Sequence, residues 1–146
     1  MNSLTHFHRR RVARVAVVAI ISMGLLPCAL LTKTFKLQKT SIVPGATGEV
    51  KTGKDKNGNT KFSVEVKHLA NPTELLPPKS GYVVWIQQKD GSPETQGILK
   101  VNENLQGKFE SNTPNKRFDL WITAEDDPTT KSPSGPEVLR ASGITP

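Results

Sequence analysis

Cysteine and histidine are scarce in this chain of 146 residues. Cys28 is the single cysteine, so no disulfide can form within the chain. His68 is the one histidine after the first eight residues, whereas a zinc site needs three or four nitrogen or sulfur ligands. His68 also lies at the end of a predicted strand, without the supporting groups of a nucleophilic catalytic site. The sequence therefore predicts no enzyme, no catalytic residues, no metal and no cofactor.

Carboxylates offer two further candidates for an ion site. The adjacent residues Glu125-Asp126-Asp127 could hold a hard cation such as calcium, although a solvated loop is the commoner setting for such a cluster. The segment Asp55–Asn59 starts like a calcium-binding loop, but Thr60 stands where that loop needs glycine and Val66 where it needs glutamate. We expect a hairpin turn there, centred on Asn57-Gly58.

Long basic runs are also missing outside the N-terminus. Of the 20 Lys and Arg residues, four (Arg9, Arg10, Arg11 and Arg14) precede residue 15, which leaves 16 against 13 Asp and Glu. The remaining net charge of +3 is scattered, whereas a nucleic-acid interface needs clustered basic residues. We expect no nucleic-acid partner.

An apolar block, Val15–Leu31, follows the four arginines and contains no charge. This pattern indicates an export signal. The block is long for a cleavable signal and just long enough for a membrane helix, which favours an uncleaved signal anchor over a signal peptide. Lipid attachment at Cys28 is disfavoured because Pro27 precedes it. The prediction is a bacterial inner-membrane protein with its C-terminal domain in the periplasm or outside the cell, or a secreted protein if the signal is cleaved.

The rest of the chain has the sequence pattern of an all-β domain. Residues 32–44 are predicted to be a tether, and residues 45–146 to be the domain. Short runs rich in β-branched and aromatic residues alternate with Gly, Pro, Asn and Asp, and no helical repeat is sustained. Seven strands are predicted: 48–52, 61–68, 82–87, 97–101, 107–110, 117–125 and 137–140.

Strands at this spacing favour a small antiparallel β-sandwich of the immunoglobulin-like kind. In the run 117–125, Phe118, Leu120, Ile122 and Ala124 should share one face, because side chains alternate along a strand. The predicted core residues are Trp85, Phe118, Ile122, Val64 and Val84.

The two tryptophans were weighed as binding platforms. Trp85 lies in the most apolar strand and is predicted to be core. Trp121 alternates with the core positions, so it should lie on the opposite face with Asp119 and Thr123. Trp121 is then either the only large apolar side chain of that face or part of an interaction surface. The candidate interaction residues are Trp121, Asp119 and Thr123.

Residues 80–140 carry a series of short motifs in order: Tyr82-x-x-Trp85-Ile86, Asp90-Gly91, Gly97-Ile98-Leu99, Thr123-Ala124-Glu125 and Pro133-Ser134-Gly135-Pro136-x-Val138-Leu139. This series resembles the extracytoplasmic C-terminal domain of anti-sigma-K-type bacterial regulators. The resemblance implies a bacterial envelope β-sandwich outside the inner membrane. Those regulators hold a sigma factor with a cytoplasmic domain, and the 14 residues before Val15 are too few for one.

These observations favour a non-enzymatic, envelope-anchored domain that binds another protein or supports an envelope assembly. The contact surface would be an exposed strand edge or the Trp121 face. A carbohydrate-binding module and a passive structural protein are the alternatives.

Overall fold

The computed structural model describes residues 32–146, which form one antiparallel sheet of eight strands. The predicted basic segment 1–14 and apolar helix 15–31 lie outside the described residues. The spatial order of the strands is β5-β4-β7-β8-β1-β2-β3-β6. Their bounds are β1 Lys33–Lys39, β2 Thr47–Lys54, β3 Thr60–Lys67, β4 Gly81–Gln87, β5 Glu94–Leu99, β6 Gly107–Thr113, β7 Phe118–Glu125 and β8 Glu137–Ile144.

Helical structure among residues 32–146 is limited to the 3₁₀ turn Pro72–Glu74. In this part of the chain, no helix has the length and hydrophobicity to span a membrane.

The sheet curls until its two edges nearly meet, which gives an almost closed barrel. β5 and β6 are those edges. An isolated backbone bridge joins Val101 to Gly107 beside them, and Ser111 Oγ donates a hydrogen bond to Gln96 Oε1 over 3.0 Å. Side chains thus close much of the gap between the edges, and the two edge strands face each other.

Alternation along the strands places one face of the sheet in the barrel interior. In β3, Phe62, Val64 and Val66 are buried there. In β7, Phe118, Leu120, Ile122 and Ala124 share the interior face, as predicted. All five predicted core residues are buried, but Trp85 belongs to a separate cluster on the outer face, with Val83 and Trp121.

The prediction of an all-β antiparallel domain is confirmed, and its finer arrangement differs. The strands number eight and form one sheet, whereas the sequence predicted about seven in an immunoglobulin-like sandwich. The segment predicted to be a tether, 32–44, contains β1. This strand pairs with β2 through residues 33–37 and with β8 through residues 38–39, so it joins the two halves of the sheet. Leu37 is buried and Phe35 packs against the core.

The hairpin predicted at Asn57-Gly58 is present between β2 and β3. Asp55 N–H donates to Asn59 O over 2.9 Å, and Gly58 N–H donates to Asp55 O over 3.1 Å. Gly58 has φ +76°, a conformation that glycine adopts without steric cost. The predicted calcium-loop resemblance at this segment is thus accounted for by a turn.

Connections lie at two ends of the barrel. The β2–β3, β4–β5 and β6–β7 turns lie at the end where β1 begins, because Lys33 pairs with Thr52 and Thr60 with Thr113. The β1–β2, β3–β4, β5–β6 and β7–β8 loops lie at the opposite end, which we call the distal end. The described part of the chain therefore begins at the end opposite the distal end.

Candidate functional site

Trp121, Asp119 and Thr123 lie on the outer face of β7, as the alternation predicts. Trp121 is nevertheless only 4% exposed, and Trp85 is fully buried beside it on β4. With Val83 they form a small apolar cluster outside the barrel. Neither ring presents an open face to a ligand such as a sugar.

Arg140 from β8 covers Trp121. Its guanidinium carbon lies 4.7 Å from the centroid of the Trp121 ring, within the range of a cation–π interaction. Glu137 holds the guanidinium in place, accepting a hydrogen bond of 2.9 Å from Nε and another of 2.6 Å from the terminal nitrogen. Asp119 lies 3.9 Å from the same guanidinium. The Trp121 face is therefore closed by the protein's own side chains.

A buried hydrogen-bond network extends from Trp85 to the β7–β8 loop. Trp85 Nε1 donates to Thr123 Oγ1 over 2.8 Å, and Thr123 Oγ1 donates to Glu125 Oε1 over 2.5 Å. The other oxygen of Glu125 accepts from Ser134 Oγ and from Gly135 N–H, each over 2.7 Å. Glu125 is fully buried, so its carboxylate fixes the loop onto the sheet.

Electrostatics agree with this structural role for Glu125. Burial raises the pKa of its carboxyl, but the hydrogen bonds from Thr123, Ser134 and Gly135 outweigh it, and the pKa lies below its ordinary value of 4.5. The group is thus ionised at neutral pH and every donor around it is engaged, so it has no proton to transfer there.

The other members of the acidic cluster point to separate partners. Asp126 forms an ion pair of 2.9 Å with Lys79, and Asp127 accepts hydrogen bonds from the N–H and hydroxyl of Thr129. Across residues 32–146, no three His, Cys, Asp or Glu side chains are grouped so that they could hold a metal ion. His68 is exposed just after β3.

The distal end presents a feature that the sequence reasoning missed. Leu76 is 95% exposed in the connection between β3 and β4, while the preceding Leu75 is buried. The backbone around them is held by its own hydrogen bonds: Lys79 N–H donates to Pro72 O over 2.8 Å, and Glu74 N–H donates to Asn71 O over 2.9 Å. Leu76 thus projects from a loop whose backbone is held by hydrogen bonds.

Two further features lie at the distal end. Tyr82 donates its hydroxyl to Ala70 O over 2.8 Å, which ties the start of this connection to the barrel. On the β1–β2 loop, also at the distal end, Ile42 is 42% exposed while the adjacent Val43 is buried. The distal end therefore carries two large exposed apolar side chains. The third in the described residues, Ile98, lies on edge strand β5 instead.

A signal for Leu76 exists in the sequence. Leu75-Leu76 stands directly before Pro77-Pro78 in an otherwise polar connection. Two adjacent side chains of an extended segment point to opposite sides, so burying one exposes the other. The prolines of this connection indicate only that it is neither strand nor helix, whereas the leucine pair indicates one buried and one exposed side chain.

Comparison of the chain with models of known protein families, with curated proteins and with solved structures finds no match. The resemblance of residues 80–140 to the outer domain of anti-sigma-K-type regulators therefore stays a prediction.

Proposed function

We propose that this chain is a non-enzymatic bacterial envelope protein whose β-domain binds a partner protein through its distal end. The apolar block Val15–Leu31 would anchor it in the inner membrane. The domain would then lie in the periplasm or outside the cell. The partner would be another envelope protein with an apolar recess that accepts Leu76.

The near-complete exposure of Leu76 carries this proposal. Single exposed apolar side chains are common on protein surfaces. Leu76 differs in that it projects from a loop held by its own hydrogen bonds, so little conformational entropy is lost when it is buried by a partner. Ile42 on the adjoining loop provides a second apolar contact at the same end.

The position of the distal end supports the same role. The chain enters β1 at the opposite end, so an anchored domain would direct Leu76 away from the membrane and towards other envelope proteins. The Trp121 face, proposed from the sequence as the contact surface, is less suitable because Arg140 already covers the ring. The burial of Trp85 and Trp121 also makes these two rings unsuitable as stacking platforms for a sugar.

The test is a Leu76→Ser substitution in the full chain, with Ile98→Ser as the matched control. Full burial of a leucine is worth about 1.5–3 kcal/mol, which corresponds to about a ten- to hundredfold loss of affinity. The envelope partner recovered by affinity capture with the wild-type chain is then titrated against each variant. We expect Leu76→Ser to lose affinity for the partner and Ile98→Ser to keep it. Equal binding by wild type and Leu76→Ser would contradict the proposal.

A further inference from the structure

The end of the barrel where β1 begins is rich in basic side chains. They come from the start of β1, the β2–β3 hairpin, the β4–β5 turn and the β6–β7 turn. Six basic residues are exposed there, and together they define what we call the basic end: Lys33, Lys54, Lys56, Lys89, Lys116 and Arg117. Four carboxylates lie at the same end: Asp55 and Asp90 in the turns, Glu94 at the start of β5 and Asp119 near the start of β7. The six basic residues therefore outnumber the acidic residues at the basic end.

None of these six cations forms a direct ion pair among residues 32–146, although the positive charge of Lys116 acts on the carboxylate of Asp55. The ion pairs among residues 32–146 involve other cations, namely Lys51, Lys79, Lys108 and Arg140. Within the basic end, Lys33 donates to the hydroxyl of Thr145 and Lys116 to the carbonyl of Gly58, and both acceptors are neutral. Asp55 accepts hydrogen bonds from the N–H groups of Asn57 and Asn59.

Part of the basic end is concave. A cleft of about 850 Å³ lies between the β4–β5 turn, the start of β7 and the end of β8. Lys89 and Arg117 line it together with the polar side chains of Gln87, Gln88 and Ser142. Asp119 also lines the cleft, and its carboxylate accepts a hydrogen bond from Gly143 N–H over 2.8 Å. The two cations, Lys89 and Arg117, suit a phosphate group. The side-chain amides of Gln87 and Gln88 already donate to Gly91 O and Asn115 Oδ1.

The covalent geometry of the chain brings this end close to the apolar block. Only Thr32 separates Leu31 from Lys33, so the Cα atoms of Leu31 and Lys33 lie within about 7 Å of each other. At physiological salt, exposed charges interact over about 8 Å. If Leu31 lies at the membrane boundary, Lys33 is within reach of the headgroups, and the adjacent turns face the same surface.

We propose that the basic end docks on an anionic lipid surface, with phosphate headgroups contacting the hairpin lysines and the Lys89–Arg117 cleft. Each basic residue near an anionic membrane surface strengthens such binding by about fivefold. Docking would hold the barrel upright, with its distal end facing away from the membrane. This inference rests on the proposed membrane anchor but not on a partner at Leu76.

The test uses residues 32–146, which contain all eight strands and both apolar clusters. This fragment lacks the apolar block Val15–Leu31, so any binding to vesicles comes from the domain. Binding is measured by co-sedimentation with vesicles of phosphatidylcholine alone and with vesicles that also contain phosphatidylglycerol. A Lys54→Gln/Lys56→Gln variant tests the basic end. A Lys100→Gln/Lys131→Gln variant removes the same charge from exposed positions in the distal loops. Thermal unfolding confirms that each protein is folded.

We expect the wild-type domain to bind vesicles that contain phosphatidylglycerol, and high salt to abolish this binding. Vesicles of phosphatidylcholine alone should bind little protein. The partition of the Lys54→Gln/Lys56→Gln variant into anionic vesicles should fall by about thirtyfold, and that of the distal variant much less. No preference for anionic vesicles would overturn the proposal. So would equal losses in the two variants, since that result would reflect net charge alone.

A second measurement uses the full chain in nanodiscs. Amine acylation followed by mass spectrometry should show Lys54 and Lys56 protected in anionic discs relative to Lys100 and Lys131. Equal labelling of the two pairs would contradict docking through the basic end.

Discussion

Replacing Glu125 by Gln is expected to lower the free energy of unfolding by about 3 kcal/mol. The carboxylate accepts hydrogen bonds from two hydroxyls, of Thr123 and Ser134, and from the N–H groups of Ser134 and Gly135. Glutamine would turn a donor NH₂ towards these donors and lose the charge. A hydrogen bond to a charged group contributes about 1.5–3 kcal/mol, and a buried donor left without a partner costs about 1–3 kcal/mol.

The same substitution should change the acid sensitivity of the domain. The pKa of Glu125 is lower in the folded protein than its ordinary value of 4.5, so the unfolded chain binds the proton first. The stability from ionised Glu125 is present above about pH 4.5 and is lost as the pH falls towards the folded pKa. The free energy of unfolding of the Glu125→Gln variant should therefore fall less on acidification than that of the wild type.

Urea unfolding of residues 32–146, measured across this pH range, checks both effects. Asp126→Asn is the matched control, because it removes the same charge from an exposed neighbour. We expect the free energy of unfolding of Glu125→Gln to fall by about 3 kcal/mol at neutral pH, and that of the control to change little. Similar stability of wild type and Glu125→Gln would refute the view that this carboxylate fixes the loop.

Three further outcomes are expected. Gly135→Ala should destabilise the domain by about 3 kcal/mol or more, as measured by urea unfolding, because a Cβ would stand 1.8 Å from Ala124 O; wild-type stability would contradict this packing. Arg140→Ala should uncover Trp121 and cost about 1 kcal/mol, with a red shift of tryptophan fluorescence, and an unchanged spectrum would argue against the stacked arrangement. Spectrophotometric titration of Tyr82, the one tyrosine of the chain, should give a pKa of about 12 because burial disfavours the phenolate, and a value near 10 would contradict it.

Much of the sheet could be predicted because its strands carry strong alternation. Residues 118–124 place every second side chain in the barrel interior, and Asn57-Gly58 marks its hairpin. β1 could not be recognised because Phe35 and Leu37 are its only apolar residues, and Lys residues surround them. The closure of the sheet depends on β1 pairing with both β2 and β8, which is a long-range property that local patterns do not encode.

The outer face was harder to predict than the interior. Alternation correctly placed Trp121 opposite Ile122, but the burial of Trp121 depends on Arg140, which lies 19 positions later in the chain. Similarly, Glu125 stood in an acidic run that suggested a solvated loop, whereas Ser134 and Gly135 return to bury it. Because Trp121 is buried, Trp121→Ala would affect folding as well as any binding.

Site-specific photocrosslinking in the envelope tests the proposed function most directly. A photoreactive amino acid replaces Leu76 in the full chain, and a second chain carries it at Ile98 as the control. The account predicts one discrete adduct with an envelope protein from position 76 and none from position 98. No adduct from position 76, or the same adduct from both positions, would contradict partner binding through the distal end.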